Sequence, residues 1–325
     1  MRAAIVGVSG LGLGADEAAL LRAMGPAGVI LFGRNVAEPA QVRGLIASLR
    51  EVLPDGAVVA VDQEGGRVAR LRPPDWRAHP AAGVIGASEH AERAAWLTGA
   101  LIGLDCVEAG FDLVCAPVLD LRVGGASGAV GDRSFGSDPG LVARLGGAVV
   151  AGLSAAGAMA VGKHAPGHGR AQVDSHFELP VVAAEVSLEG DIAAFAGCVG
   201  LAWLMTAHLL YLGVDAARPG TLSARVIGEV IRGRIGFGGV LVSDDLAMKA
   251  LTGSPDALAG ACVAAGCDVA LHCTGVLAES AAVLRGVPFV SDAGLERMAA
   301  ARGMVRPQML DGDGLAAERE RLFAC

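Results

Sequence analysis

The stretch AMAVGKHAPGHGRAQVDSH, residues 158–176, changes character in its middle. Its first residues are small and apolar with no polar alternation, the pattern of a strand buried on both faces. Lys163 and His164 close that run, and Pro166, Gly167 and Gly169 then break the backbone into a loop that carries Asp174, Ser175 and His176. A buried strand has no packing reason to end in charged and imidazole groups. Its C-terminal end therefore has to open onto a polar mouth. The fold depends on whether the pattern recurs along the chain.

It recurs. Short apolar runs ending in small or polar residues appear at 3–8, 28–32, 57–64, 111–118, 158–165, 202–208, 238–245 and 267–273. Between them lie amphipathic helical patterns such as PAQVRGLIASLREVL, LVARLGGAVVAGLSAAG and LSARVIGEVIRGRIG. Doubly buried strands alternating with helices predict a parallel β/α architecture. Eight such units followed by a helical tail fit a single (β/α)8 barrel spanning residues 1–325, with a doubly wound open sheet as the alternative. The polar residues sit at the ends of the runs: Asp62 and Glu64, Lys163 and His164, His208, Asp244 and Asp245. In a barrel those ends converge on one face, where barrel active sites are built.

Composition narrows the partners. The chain has 325 residues, 53% of them hydrophobic, and a net charge of −8 with no run of lysine or arginine, which argues against nucleic acid. The seven cysteines form no C-x-x-C pair and read as reduced, buried thiols of a cytoplasmic protein. MRAAIVGVSGLGLGAD reads as a first strand rather than a signal peptide, since Ser9 and glycines interrupt the apolar run. Residues 193–214 lack Asp, Glu, Lys and Arg and have the length of a membrane span. Gly197 and Gly200 favour a helix end followed by a buried strand, and no other segment reads as a span.

Individual motifs supply candidate chemistry. VSDDLAM (242–248) delivers two adjacent aspartates to the mouth, and alternation along a strand lets only one point inward. We assign Asp244 to chemistry, as nucleophile or electrostatic stabiliser, and Asp245 to capping a helix over LAMKAL. Asp174 and His176, two apart on a loop, can pair so that the carboxylate orients the imidazole, which makes His176 a candidate acid/base; an Asx-turn with an exposed histidine is the plainer alternative. Arg70 in VDQEGGRVARLR and Arg133 in GDRSFGSDP are candidate donors to an oxygen-rich ligand. Gly10-Leu-Gly12-Leu-Gly14-Ala15 satisfies a dinucleotide fingerprint and keeps an NADP-dependent oxidoreductase as a remote reading, although no acidic residue ends the second strand. A metal-dependent hydrolase is disfavoured, because His164, His168 and His176 share one loop.

Taken in order, GVILFGRNV (28–36), VDQEGGRVARL (61–71), GDRSFGSDP (131–139), KHAPGHG…DSH (163–176), MTAHLLY (205–211) and VLVSDDLAM (240–248) resemble glycoside hydrolase family 3 and its single-domain bacterial β-N-acetylglucosaminidases. The resemblance implies Asp244 as nucleophile, His176 as proton donor and acceptor, Asp174 as its assistant, and Asp62, Arg70, Arg133, Lys163 and His164 as sugar-binding residues. It implies retaining hydrolysis of terminal β-linked N-acetylglucosamine, with GlcNAc–1,6-anhydroMurNAc or its peptide as substrate in cytoplasmic peptidoglycan recycling. It also implies no metal and no cofactor; the chain itself reads as having no membrane partner, and we expect a monomer. A phosphorylase on the same scaffold is the rival, because a neutral histidine base does not repel phosphate. Ala165 departs from the family, which carries phenylalanine there. That substitution and the glycines of the loop lead us to expect residues 167–176 to close over the pocket only when sugar binds.

Overall fold

The computed structural model describes residues 1–324 except 125–127, 172, 174, 176 and 177. In chain order the strands are β1 (Arg2–Gly7), β2 (Pro26–Leu31), β3 (Val58–Val61), β4 (Leu113–Val114), β5 (Met159–Ala165), β6 (Val181–Val182), β7 (Trp203–Thr206), β8 (Leu210–Tyr211), β9 (Val240–Asp245) and β10 (Val269–His272). Eight of them close into a barrel in the order β1-β10-β9-β7-β5-β4-β3-β2, while β6 and β8 form a separate parallel pair. Every barrel pairing is parallel. The fold is a TIM-type barrel, and its strands coincide with the eight apolar runs of the sequence, β1 and β2 starting one and two residues before theirs. The open sheet is excluded because β1 bonds to both β2 and β10.

The helices are α1 (Ala15–Met24), α2 (Pro39–Arg50), α3 (Ala82–Gly86), α4 (Ala91–Ala109), α5 (Pro139–Ala156), α6 (Glu189–Gly197), α7 (Pro255–Ala265), α8 (Leu277–Gly286), α9 (Asp292–Met304) and α10 (Gly312–Ala324). Burial explains the runs. All four residues of β3 and all seven of β5 are buried, because helices cover the barrel outside and side chains fill its inside. α4 and α5 pack backbone to backbone through glycines: a Cβ on Gly99 would meet the Val149 carbonyl oxygen at 2.4 Å, and one on Gly152 the Trp96 oxygen at 2.3 Å.

Several local expectations change. Residues 193–214 divide into the end of α6, a short connection and β7, as read, followed by β8. α5, however, is long and apolar enough by length and composition to cross a membrane, with a mean hydropathy of 1.4. Its apolarity reflects its place between α4, α6 and the barrel. The segment after Asp245 is a succession of turns, so Asp245 caps no helix there. LSARVIGEVIRGRIG contains a π-helical stretch, Val226–Arg234. The glycine fingerprint forms no anion cradle. The Glu17 carboxylate occupies the N-terminus of α1, accepting from the Ser9 and Gly14 amides at 2.8 and 3.1 Å, where a pyrophosphate would have to sit. The six cysteines among the described residues are free and buried.

Candidate active site

At the C-terminal ends of the strands lies a cavity of about 270 Å³. Asp62, Glu64, Arg67, Arg70, Arg133, Lys163, His164, His168, Ser175, Asp244 and Asp245 supply its polar wall, with Ile30, Phe32, Met205, Met248 and Leu271 among its apolar lining. The volume is somewhat below the roughly 300–1,000 Å³ typical of small-molecule pockets, which suits a compact ligand. The sequence-predicted residues Asp62, Arg70, Arg133, Lys163, His164 and Asp244 all meet here. Asp174 and His176 lie outside the described residues.

One wall is an interlocked set of charges. Lys163, at the end of β5, bonds Asp62 Oδ1 at 2.8 Å and Glu64 Oε1 at 2.7 Å, with its side chain only 3% exposed. Arg133 reaches Glu64 with both Nε and Nη2 at 2.8 Å, a bidentate pair, and donates to the Ala129 carbonyl at 3.1 Å. Arg70 Nη2 lies 3.2 Å from the other oxygen of Asp62, while its buried Nε has no partner among the described residues. Burial by itself would neutralise these groups. Lys163 and Arg70 outweigh that for Asp62, and Lys163 and Arg133 outweigh it for Glu64, holding both carboxyls below the usual range. Desolvation likewise works against the Lys163 charge, and its two carboxylate partners push it up instead. Glu64 therefore links the lysine to the arginine, a role the sequence reading did not assign.

Asp120 is the second residue that reading missed. It is wholly buried, and its Oδ1 accepts from the His168 amide at 2.6 Å. Its Oδ2 accepts from His164 Nδ1 at 2.7 Å, and both oxygens stand 3.2 Å from the His164 amide. A carboxylate can only accept, so His164 Nδ1 carries a proton and the ring is fixed by Asp120. Lys163 and His164, joined by a cis peptide, both line the cavity. The His168 ring stands edge-on to His164, with centroids 5.6 Å apart, and its Nε2 lies 2.9 Å from Ser175 Oγ. Burial and the neighbouring His164 push His168 down to about 4, so it is neutral near pH 7.

The opposite wall carries the paired aspartates of β9. Both line the cavity, yet their surroundings differ. Asp245 Oδ1 accepts from the Ala247 and Cys273 amides, both at 3.0 Å, which anchors the turn after β9 to the end of β10. Burial raises its pKa, whereas Asp244 is held below the ordinary carboxylate value. For Asp244 burial alone would act upward, and His164, His208, the Asp245 amide and Lys163 outweigh it. Asp244 accepts a hydrogen bond from that amide at 2.8 Å and has no ion pair within 4 Å among the described residues. It is an ionised, accessible carboxylate. Beneath it, buried His208 bonds the Asp245 carbonyl through Nε2 at 3.0 Å and Thr221 Oγ1 through Nδ1 at 2.8 Å. The carbonyl only accepts, so Nε2 carries the proton, and burial keeps the ring neutral. Among the described residues no group of three His, Cys, Asp or Glu side chains is placed to hold a metal ion.

Comparison with known proteins agrees with this arrangement. Residues 8–305 match the family described as the glycosyl hydrolase family 3 N terminal domain. The chain is 42% identical over 271 residues to the β-hexosaminidase of Pseudomonas aeruginosa strain PAO1, covering 82% of this chain and 80% of that one. With the β-hexosaminidase of Alkalilimnicola ehrlichii it shares 41% over 308 residues, or 90% and 87% of the two chains. Among solved structures, NagZ from Neisseria gonorrhoeae in complex with N-trifluoroacetyl-D-glucosamine superposes with a TM-score of 0.84 at 30% identity, covering 99% of this chain and 96% of that one.

Proposed function

The chain belongs to glycoside hydrolase family 3, and on that premise we propose that this β-hexosaminidase is a retaining exo-β-N-acetylglucosaminidase. Asp244 attacks the anomeric carbon as the bond to the aglycone oxygen breaks, forming a covalent glycosyl-aspartate. His176, assisted by Asp174, gives its proton to the departing oxygen and then takes one from the water that releases the sugar. Two inversions at one carbon leave the β configuration unchanged.

The observation that carries this reading is the asymmetry of the cavity. Asp244 faces the pocket as an ionised carboxylate with no ion-pair partner among the described residues, which is the state a nucleophile needs. In the same cavity, Asp62, Arg70, Arg133, Lys163 and His164 provide acceptors and donors for sugar hydroxyls. Arg70 Nε, without a partner among the described residues, is the clearest seat for a ligand oxygen. The compact, apolar-backed cavity suits one terminal sugar rather than a long glycan. We assign GlcNAc–1,6-anhydroMurNAc, with or without peptide, as substrate, and place the reaction in the cytoplasm, where free thiols persist.

Turnover of a chromogenic β-N-acetylglucosaminide, with and without inorganic phosphate, tests the proposal. Free N-acetylglucosamine released as the β anomer at a rate indifferent to phosphate is the expected result. N-acetylglucosamine-1-phosphate as product would replace hydrolysis by phosphorolysis, and release of the α anomer would exclude the glycosyl-aspartate route.

A further inference from the structure

α10 is a thirteen-residue helix whose one buried residue is Arg319. A surface helix normally docks through an apolar stripe. Here Leu322 and Phe323 are partly buried against the core, but the one fully buried group is a guanidinium, 7% exposed, which reaches a buried imidazole. Arg319 Nη1 lies 2.9 Å from His79 Nδ1, and Nη2 donates to the Ala78 carbonyl at 2.8 Å. On its other side, His79 Nε2 stands 3.0 Å from Asp105 Oδ2 of α4. A guanidinium only donates, so Nδ1 holds a lone pair, Nε2 carries the proton toward Asp105, and the ring is neutral in a single tautomer. A bidentate pair from Arg93 to Glu318, at 2.7 and 2.8 Å, adds an outer contact between α4 and α10.

From His79 the contacts lead to the cavity. The His79 carbonyl accepts from the Gly66 amide at 2.9 Å. The 79–81 segment fits the Gly65–Gly66 turn closely: a Cβ on Gly65 would stand 2.4 Å from the Pro80 oxygen, and one on Gly66 2.7 Å from Ala81 Cβ. Both glycines have positive φ, at 101° and 54°, so a side chain at either is excluded by conformation as well as by space. The same turn closes with the Glu64 and Gly65 amides on the Val68 carbonyl, at 2.9 and 3.1 Å. Its first residue is Glu64, the carboxylate that joins Lys163 to Arg133, and Arg67 and Val68 line the cavity.

We propose that Arg319 and His79 are positioning residues for the sugar site, through which α10 holds the glycine turn that sets Glu64 against Lys163 and Arg133. The link rests on the glycosidase reading for its consequence and on the contacts above for its existence. It also has a pH sense. The charged groups around His79 are Arg77 of its own segment, bonded to Asp105 and near Asp313 of α10, together with Asp105 of α4 and Arg319 and Glu320 of α10. Protonating Nδ1 would turn an N–H toward the guanidinium and remove the acceptor it uses. Burial holds His79 below 6.5, so the link is intact above that value and is lost as pH falls through the lower, folded value.

Two measurements test this. Amide exchange in Arg319→Met is expected to show the Gly65, Gly66 and Val68 amides exchanging about tenfold faster while the barrel strands keep their protection. Kinetics on a chromogenic N-acetylglucosaminide, normalised to folded protein, are expected to lose about tenfold in kcat/KM mainly through KM, with partial recovery in Arg319→Lys. His79→Gln keeps one donor and one acceptor but cannot charge, and is expected to flatten the acid rise in KM. Unchanged turn exchange in a folded Arg319→Met overturns the link. So does an acid rise in KM that survives in His79→Gln. A wild-type enzyme inactive on the sugar would instead sink the glycosidase reading, and the exchange result would still decide whether α10 holds the turn.

Discussion

The two walls of the barrel mouth carry similar residue types and treat them in opposite ways. On the β3–β5 side every carboxylate is matched: Asp62 and Glu64 share Lys163 and divide Arg70 and Arg133 between them. On the β9 side, among the described residues, Asp244 has no ion-pair partner and accepts from the amide of its neighbour, and the nearby His208 is spent on the Asp245 carbonyl and Thr221. A matched carboxylate is a fixed acceptor and a poor nucleophile, because its charge is already shared. An unmatched one is available to attack. The difference divides the mouth into a wall that grips and a wall that reacts.

The division breaks most severely at Asp244. Asp244→Asn removes a charge that no cation opposite depends on, so the fold and sugar binding are expected to persist. Turnover should fall at least about a thousandfold, from loss of several kcal/mol of transition-state stabilisation. Single-turnover kinetics beside calorimetric binding of N-acetylglucosamine would check it, and near-normal turnover would move the reaction elsewhere.

The opposite wall should fail differently. Lys163→Met leaves Asp62 and Glu64 buried without their shared cation, which is expected to cost about 3–5 kcal/mol of stability. A loss of roughly 2–4 kcal/mol in kcat/KM accompanies it, since the same lysine faces the ligand. Arg133→Ala, which frees Glu64 but leaves Lys163 in place, should lose less of both. Denaturant unfolding measured together with kcat/KM separates the walls: Asp244→Asn changes the first assay far less than the second, and Lys163→Met is loud in both.

A smaller effect sharpens the comparison by pH. Asp62 and Glu64 are depressed below their ordinary values of 3.8 and 4.5. Their contribution to stability is therefore complete above the unfolded values and is lost as pH falls through the lower, folded ones. Acid unfolding curves should steepen below about pH 4, and Asp62→Asn should remove part of that slope. A curve for Asp62→Asn parallel to wild type would show that the matched wall does not store this energy.

Much of this was legible in the chain. Eight apolar runs predicted the barrel, and the polar ends of several of them supplied Asp62, Lys163, His164 and Asp244, which meet the loop residues Arg70 and Arg133 in one cavity. Strands buried on both faces leave a strong compositional trace, and the end of a strand is a position that a sequence records. Asp120 obeyed the same rule, lying just past the run 111–118, but an aspartate amid APVLDLR offers no sign that it will seat His164 and His168. Glu64 was visible as a polar end and not as a partner. The helix expected over LAMKAL failed because the Asp245 carboxylate bonds the Ala247 amide two residues on and the Cys273 amide just past the neighbouring strand β10, holding a turn instead. The expected pairing of Asp174 with His176 concerns residues outside those described; in the loop expected to close only when sugar binds, the described residues His168, Ala171 and Ser175 are buried, and His168 and Ser175 line the cavity.

Alternation of buried strands and helices, and the polar ring at one end of them, follow from local pattern, because hydrophobic periodicity acts over a few residues. Which carboxylates in that ring are neutralised does not. Asp62 and Lys163 are 101 residues apart in the chain and Glu64 and Arg133 are 69 apart, yet each pair meets at 2.8 Å. Ionic pairing depends on distance and desolvation at the closed mouth, and both come into being only when the barrel closes.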